Sequence, residues 1–354
     1  MIYQDNYSFP VKFLSSNIYN MIQFATYTHP ETCATSKEVT DDMFVGNGFP
    51  HFRNIGEELS KALALYPELP LRKVALAEYL RVHSAEYLDK LIRMSQDEKV
   101  DSKPVLSVEC IGFEYCLPAY CYSLGGMYEA IDRMKAGTLD RAFCFSLGGH
   151  HAHRDWGHGY CLLNPFAAAT RYAQSQGFKK VMIIDWDIHH GDGTQSIFAG
   201  DNSVYHISIH SAIDLYMSKV SSTEAGTIEY GRQVGHCNIP LLHPVFDDGF
   251  FGKINLQAEF YRVGESIRIF KKTLENTTFV PDIILLFAGC DSHKDDCGKD
   301  ITDWDTPDYE TLTKAVLDLS RKANCPVLAT QGGGYNIPST IAASEACVGV
   351  LATY

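Results

Sequence analysis

The sequence predicts an α/β fold: a doubly wound, mainly parallel sheet flanked by helices. Two observations carry that expectation. Short apolar runs of the length of buried strands recur at 142–147, 181–184, 204–209, 283–288 and 327–330, with helical segments between most of them. Four of these runs lead directly into segments rich in Gly, His and Asp, and ligands of open α/β sheets bind beyond the carboxyl ends of the strands. In chain order, a helix is expected through MYEAIDRMKA to Gly137, then the strand 142–147 leading into GGHHAH. Asn164 can cap the next helix, Pro165 suits its first turn and Gly177 can end it. The strand 181–184 leads into DWDIHHGDG, 204–209 follows, and 283–288 leads into GCDSHKDD. A helix beginning at Thr306-Pro307 runs toward Asn324-Cys325-Pro326, and the strand 327–330 leads into QGGGY. No repeat, low-complexity tract or Pro/Ser-rich linker interrupts the chain, which therefore reads as one domain over residues 1–354.

Composition narrows the function classes. The chain has 354 residues, 45% hydrophobic and 21% charged, enough to bury a full core without disulfides or metal clips. Thirty Lys and Arg against 43 Asp and Glu give a net charge of −13, which argues against direct nucleic-acid binding. No apolar run approaches the roughly 18 to 20 residues of a membrane span, and MIYQDNYSFPVKF lacks the pattern of a signal peptide, so a cytoplasmic location is expected. Eleven Cys with no CxxC pair fit reduced thiols, which leaves His and carboxylates as the ligands of any metal.

The chemistry-bearing residues follow the strands. Asp185, Asp187 and His189 alternate through IIDWDIHHGDG, and alternation in extended chain puts every second side chain on one side. Asp291 follows a separate strand. Two carboxylates and one imidazole would leave a fourth position of a catalytic zinc open for water. An Asp after a strand can equally be a helix cap or turn former. His150 and His151 follow Gly148-Gly149, and adjacent imidazoles with an ordinary pKa of about 6.5 are candidates for proton transfer. Asp185 and Asp192 flank the proposed ligands and are placed to hold one imidazole each in the needed tautomer. Tyr335 ends Gly332-Gly333-Gly334, where the chain can lie against a ligand and a phenol can donate to a developing oxyanion. A phosphate site on the same glycines lacks the following Lys-Ser/Thr.

Together GGHHAHRDWGHGYCLLNP, IDWDIHHGDGTQSIF, ISIHSAIDLYM, FAGCDSHKDD and QGGGYN, with a weaker element at VHSAEYLDKL, resemble the zinc-dependent histone deacetylase superfamily. That superfamily includes acetylpolyamine amidohydrolases and bacterial acetoin-utilisation proteins, and HHGDGTQ and DSHKDD are in its commoner bacterial form. The resemblance runs from about Leu76 onward. It implies a deacetylase with one zinc held by Asp187, His189 and Asp291. It further implies His151 as general base, with Asp192 beneath it, and His150 as its electrostatic partner, with Asp185 beneath. Tyr335 is implied as the phenol that polarises the scissile carbonyl. A structural potassium is implied at Asp185 and Ser208 with main-chain carbonyls of Asp187, His189 and Ile209, and a second one at carbonyls of Phe198, Asp201 and Val204. Gly159, Tyr160 and either Tyr216 or Met217 match the walls of the family's substrate tunnel, and Gly333 lies against its substrate.

The chain departs from the family pattern at its rim. Cys297 and Gly298 stand where many relatives have Pro and a bulky or acidic gatekeeper, and ISIHSAIDLYMSK lacks the usual Pro-Gly. Glu114 and Glu109 are the candidates for the acidic residue that grips a peptide backbone. The acidic run from Asp291 to Glu310, broken by Lys294 and Lys299, would attract cations to the mouth or would simply form a solvated face. Acetyl-lysine peptides are the expected substrate and acetylpolyamines the alternative, the oligomeric state being left open. A zinc-binding relative without turnover is disfavoured by the full complement of His151, Tyr335 and ligands. An arginase-like ureohydrolase would carry Asp-x-His-x-Asp, where this chain reads Asp185-x-Asp187-x-His189.

Overall fold

The computed structural model describes residues 22–33, 48–102, 105–214, 219–220, 235–245 and 261–354. In chain order the elements begin with strand β1 (Ile22–Tyr27) and helices α1 (Gly48–Ala62), α2 (Ala85–Ser95) and α3 (Leu117–Lys135). There follow β2 (Leu139–Cys144), α4 (Pro165–Ser175), β3 (Val181–Asp185), the short α5 (Asp192–Ile197) and β4 (Val204–Ser211). A small hairpin, β5 (Ile213–Asp214) and β6 (Lys219–Val220), precedes β7 (His236–Leu242), β8 (Tyr261–Arg262) and α6 (Ser266–Asn276). The described chain closes with β9 (Ile283–Ala288), α7 (Thr306–Ala323), β10 (Val327–Gln331) and α8 (Ile337–Thr353).

Eight strands form one sheet in the order β1-β2-β10-β9-β3-β4-β7-β8, and every pairing within it is parallel. Every residue of β3, β4, β9 and β10 is buried, as a parallel sheet covered on both faces requires, and this is why those segments read as unbroken apolar runs. The order matters for function. The four strands that lead into the polar segments, β2, β10, β9 and β3, are consecutive neighbours in the centre of the sheet, so their carboxyl ends open onto one place.

The expected elements are present, with boundaries moved. The expected strand 142–147 is β2, which lies three residues earlier, and the chain beyond Cys144 has already left the sheet. The helix through MYEAIDRMKA begins ten residues sooner, at Leu117. Asn164 caps α4, its side chain accepting from the Ala167 N–H at 2.8 Å. Asn324, in the left-handed region at φ 54°, closes α7, and Asp305 with Asp308 forms a capping box at its start. β1 and β7 have no counterpart among the five expected strands. Pro240 interrupts the strand pattern of β7, yet it pairs in register with His210 of β4.

Helix α3 lies unusually close to its neighbours. A Cβ on Gly126 would stand 2.2 Å from the Tyr27 ring, and one on Gly125 would stand 2.0 Å from the Arg72 carbonyl oxygen. Gly125→Ala should therefore invert the usual gain of about 1 kcal/mol for replacing a helical glycine. A net loss of about 1–3 kcal/mol is expected from the backbone clash. It would be read as a lower urea midpoint; an unchanged or higher midpoint would show that the Arg72 segment yields without cost.

Candidate active site

β3 ends in Asp185, and the chain continues through Asp187 and His189 in a succession of turns that the carboxylates themselves hold. The Asp187 N–H donates to Asp185 Oδ1 and the His189 N–H to Asp187 Oδ1, each at 3.0 Å. Asp291 arrives from the end of the adjacent β9, and its Oδ1 accepts the Ile188 N–H at 3.0 Å. His189 Nδ1 then lies 3.1 Å from Asp187 Oδ1 and 3.0 Å from Asp291 Oδ2. The ligand atoms of Asp187, His189 and Asp291 all lie within 4.8 Å of one another.

The donor set fits a divalent metal. Ligands about 2.0–2.1 Å from a tetrahedral ion stand about 3.3 Å apart, close to the separations of the imidazole nitrogen from the two carboxylates. Burial, joined by the Asp187 charge, pushes the Asp291 carboxyl well up. Burial also opposes charge on His189, but hydrogen bonds to Asp187 and Asp291 outweigh it and hold the imidazole well above its ordinary range. The cluster thus favours positive charge at its centre. A Cβ on Gly333 would stand 2.4 Å from Asp291 Oδ2 and 2.6 Å from Asp187 Oδ2, so the third strand loop closes the cradle with bare backbone. Its N–H donates to Asp187 Oδ2 at 2.7 Å.

The paired histidines leave β2 through Gly148 and Gly149, at φ 81° and 139°, on a path that an ordinary side chain would strain. Both imidazoles are buried, and each has the aspartate expected from the sequence: His150 Nδ1 to Asp185 Oδ2 at 3.0 Å and His151 Nδ1 to Asp192 Oδ1 at 2.9 Å. The two sites differ in charge. Burial works against protonated His150, but the Asp187 and Asp185 charges outweigh it and hold its pKa up at about 9. Burial and the neighbouring His150 push His151 well below its ordinary value despite Asp192, which leaves it neutral. With Nδ1–H assigned to Asp192 by that hydrogen bond, His151 keeps Nε2 as an open base.

Two further histidines meet the same carboxylate. His153 Nε2 and His158 Nε2 lie 3.2 and 3.1 Å from Asp192 Oδ2, and Trp156 stacks on His158 at 4.1 Å. Burial raises the Asp192 pKa, but the three imidazoles around it bring it well below the usual carboxylate range. Residue-by-residue reading misses His153 and His158 because nothing in AHRDWGHG marks which imidazoles fold back.

Leu147, Gly148, His150, His151, Gly159, Tyr160, Cys161, Asp187, Phe287, Gly332, Gly333 and Tyr335 enclose a narrow cavity with about 20 Å³ free, space for about one water. Gly159 is there from necessity: a Cβ would stand 2.4 Å from the His151 ring. Tyr160 adopts φ 61°, a strained value for a side chain of its size, and its ring lies 5.9 Å from that of Phe113. Tyr335 is 39% exposed at the edge of the cavity, its ring 6.2 Å from that of His189. Burial, then the Asp291 and Asp187 charges, raises its phenol well above the ordinary range, which keeps the hydroxyl a donor.

Other expected site residues lie elsewhere. Tyr216 and Met217 fall outside the described residues. Glu114, expected at the rim, is buried at 6%, and its Oε2 accepts the Gly112 N–H of its own turn at 2.7 Å. Glu109 accepts the Gly159 N–H at 2.9 Å and so braces the cavity wall. Asp185 and Ser208 are partners across β3 and β4, with Ile209 next in β4, and Ser208 Oγ lies 2.7 Å from His210 Nδ1. Phe198, Asp201 and Val204 share a turn at the other end of β4. There the Phe198 and Asp201 carbonyls accept the Asp201 and Val204 N–H groups at 3.0 and 3.2 Å, and the Asp201 carboxylate pairs with Arg171 at 2.5 Å.

Comparison with known proteins bears on this geometry. The histone deacetylase domain family matches residues 51–351. A probable deacetylase of Archaeoglobus fulgidus is 28% identical over 276 residues, 76% of this chain and 69% of that protein. Histone deacetylase 15 of Arabidopsis thaliana is 29% identical over 288 residues, 79% of this chain but 47% of its own length. The crystal structure of the HDA15 HD domain superposes with a TM-score of 0.73 at 24% identity, covering 93% of this chain and 89% of that one.

The cradle generates a prediction. Gly333→Ala should lower bound metal by at least about tenfold, because its Cβ drives apart the oxygens of Asp187 and Asp291, while the fold persists. Elemental analysis beside circular dichroism checks this; full metal content in a folded variant would contradict the assigned ligand set.

Proposed function

The chain belongs to the histone deacetylase family, a hydrolase family acting on amides, and on that premise we propose that it is a zinc-dependent enzyme removing acetyl groups from amines. Acetylated lysine side chains of peptides or proteins are its first candidate substrate. The observation that carries this reading is the cluster of Asp187, His189 and Asp291, whose Asp187 lines one cavity together with His151 and Tyr335.

Zinc held by Asp187, His189 and Asp291 would supply Lewis-acid chemistry, polarising a carbonyl and lowering the pKa of water from 15.7 toward about 7. The chain's own residues do the rest. His151 takes a proton from water at Nε2, while Asp192 holds Nδ1–H and stabilises the imidazolium that forms. The same proton is then delivered to the departing amine. The Tyr335 hydroxyl donates to the substrate carbonyl oxygen as negative charge develops there. His150, whose pKa the Asp187 and Asp185 charges hold up at about 9, is placed to add positive potential beside the reacting carbonyl. Gly159, Tyr160 and Phe287 wall the narrow cavity beside His151. Asp185, Ser208 and main-chain carbonyls of Asp187, His189 and Ile209 are the candidate potassium ligands, with Phe198, Asp201 and Val204 as a second set.

One observation favours a second substrate class. Neither Glu114 nor Glu109 stands free at the rim to grip a peptide backbone, since both carboxylates accept backbone N–H groups of the chain itself. N-acetylpolyamines, which need no such grip, therefore remain the alternative.

Tyr335→Phe and His151→Ala should each lower turnover by at least about 10² with metal content intact. The substrate for that measurement comes from kcat/KM over acetyl-lysine peptides, longer acyl-lysines and acetylated putrescine, cadaverine and spermidine. Unchanged rates in both variants, or inactivity of the zinc-loaded protein on every compound, would refute the reading.

A further inference from the structure

Between the metal-ligand segment and the tyrosine turn stands Asp296, which the proposed chemistry does not use. Its Oδ2 accepts two successive backbone amides, the Tyr335 N–H at 2.7 Å and the Asn336 N–H at 2.8 Å. Its Oδ1 accepts the Cys297 N–H at 2.8 Å, and its own N–H donates to the His293 carbonyl at 2.9 Å. The carboxylate is therefore fixed within the loop that begins at Asp291 and holds the chain that carries the phenol.

The need for such a hold follows from the turn. Gly332, Gly333 and Gly334 carry no side chains that packing can fix, and glycine has the widest backbone freedom of any residue. Upstream, the turn is tied to the metal cluster by Gly333, whose N–H meets Asp187 and whose carbonyl accepts the Cys290 N–H at 2.6 Å. Downstream, Asn336 begins α8, its side chain accepting the Ser339 N–H at 3.2 Å. Tyr335 lies between these anchors, with 39% of its surface exposed.

We infer that Asp296 is a positioning residue for Tyr335: by binding both amides at the end of the glycine turn it aims the phenol into the cavity. It couples the Asp291 loop to the tyrosine, so that metal ligand and hydroxyl keep a constant relation. This inference rests on the reading of Tyr335 as the donor to the substrate oxygen.

Asparagine at this position keeps a carbonyl oxygen able to accept both amides, whereas alanine removes the acceptor. Asp296→Ala should lower kcat by about 10- to 100-fold, the usual scale for misplacing a reacting group by about 1 Å, with KM within about threefold and zinc content intact. Asp296→Asn should restore kcat to within about threefold of the parent. In a Tyr335→Phe background, Asp296→Ala should change kcat by less than about threefold, because the residue acts through the phenol that is already gone. Should the alanine variant fail to fold, Asp296→Ser, whose hydroxyl is too short to span both amides, takes its place.

Three results would overturn the inference: parental kcat in Asp296→Ala, an asparagine variant as impaired as the alanine one, or the full alanine loss recurring in the Tyr335→Phe background. Failure of the underlying reading is distinguishable, because it appears in Tyr335→Phe alone as an unchanged rate.

Discussion

Two buried carboxylates, Asp187 and Asp291, brought from different strands into one small space, are the constraint on which the rest of the site depends. Like charges in a medium of low dielectric repel strongly, and the arrangement persists because the fold supplies opposing interactions. The backbone amides of Ile188 and Gly333 donate to the two carboxylates, and His189 bridges them. Adjacency of β3 and β9 sets the distance, and glycine sets the clearance: a Cβ on Gly289 would stand 2.2 Å from the Asp187 Cα. These contacts fix where a metal ion would be held and leave the cluster short of positive charge.

A second electrostatic arrangement mirrors the first. Where the Asp187–His189–Asp291 cluster gathers two carboxylates around one imidazole, Asp192 gathers three imidazoles around one carboxylate. The outcome is a division of labour between neighbouring histidines. His150 shares Asp185 and Asp187, which hold its pKa up, whereas His151 shares its aspartate with two other imidazoles, stands beside His150 and has its pKa pushed down. Burial and partners thus push the pKa values of adjacent residues of one motif in opposite directions.

Much of this was legible in the sequence, for a physical reason. Strands buried on both faces must be apolar throughout, and a polar cluster after such a run marks the strand's carboxyl end; β3, β9 and β10 are read to within a residue on that basis. The pairs His150–Asp185 and His151–Asp192 are those the family resemblance implies, whereas the residues alone offer only that each aspartate can hold one imidazole. What escapes is set by side-chain directions that spacing does not mark. His153 and His158 turn onto Asp192, and Glu114 has the right charge for a rim but an inward direction. The acidic run from Asp291 reads as a collective field, yet its members act singly. Asp296 holds the tyrosine turn, Asp303 accepts the Asp300 N–H, and Asp305 with Asp308 caps α7. Strand β1, IQFATY, escapes because Gln23 and Thr26 interrupt its apolar run.

The central claim is a single metal centre on Asp187, His189 and Asp291 that serves amide hydrolysis. Metal stoichiometry of the purified protein, followed through chelation and reconstitution alongside deacetylation, tests it most directly. The account predicts one equivalent of zinc per chain, loss of hydrolysis in step with its removal and recovery when one equivalent is returned. Two equivalents of manganese per chain, or hydrolysis indifferent to chelation, would contradict it.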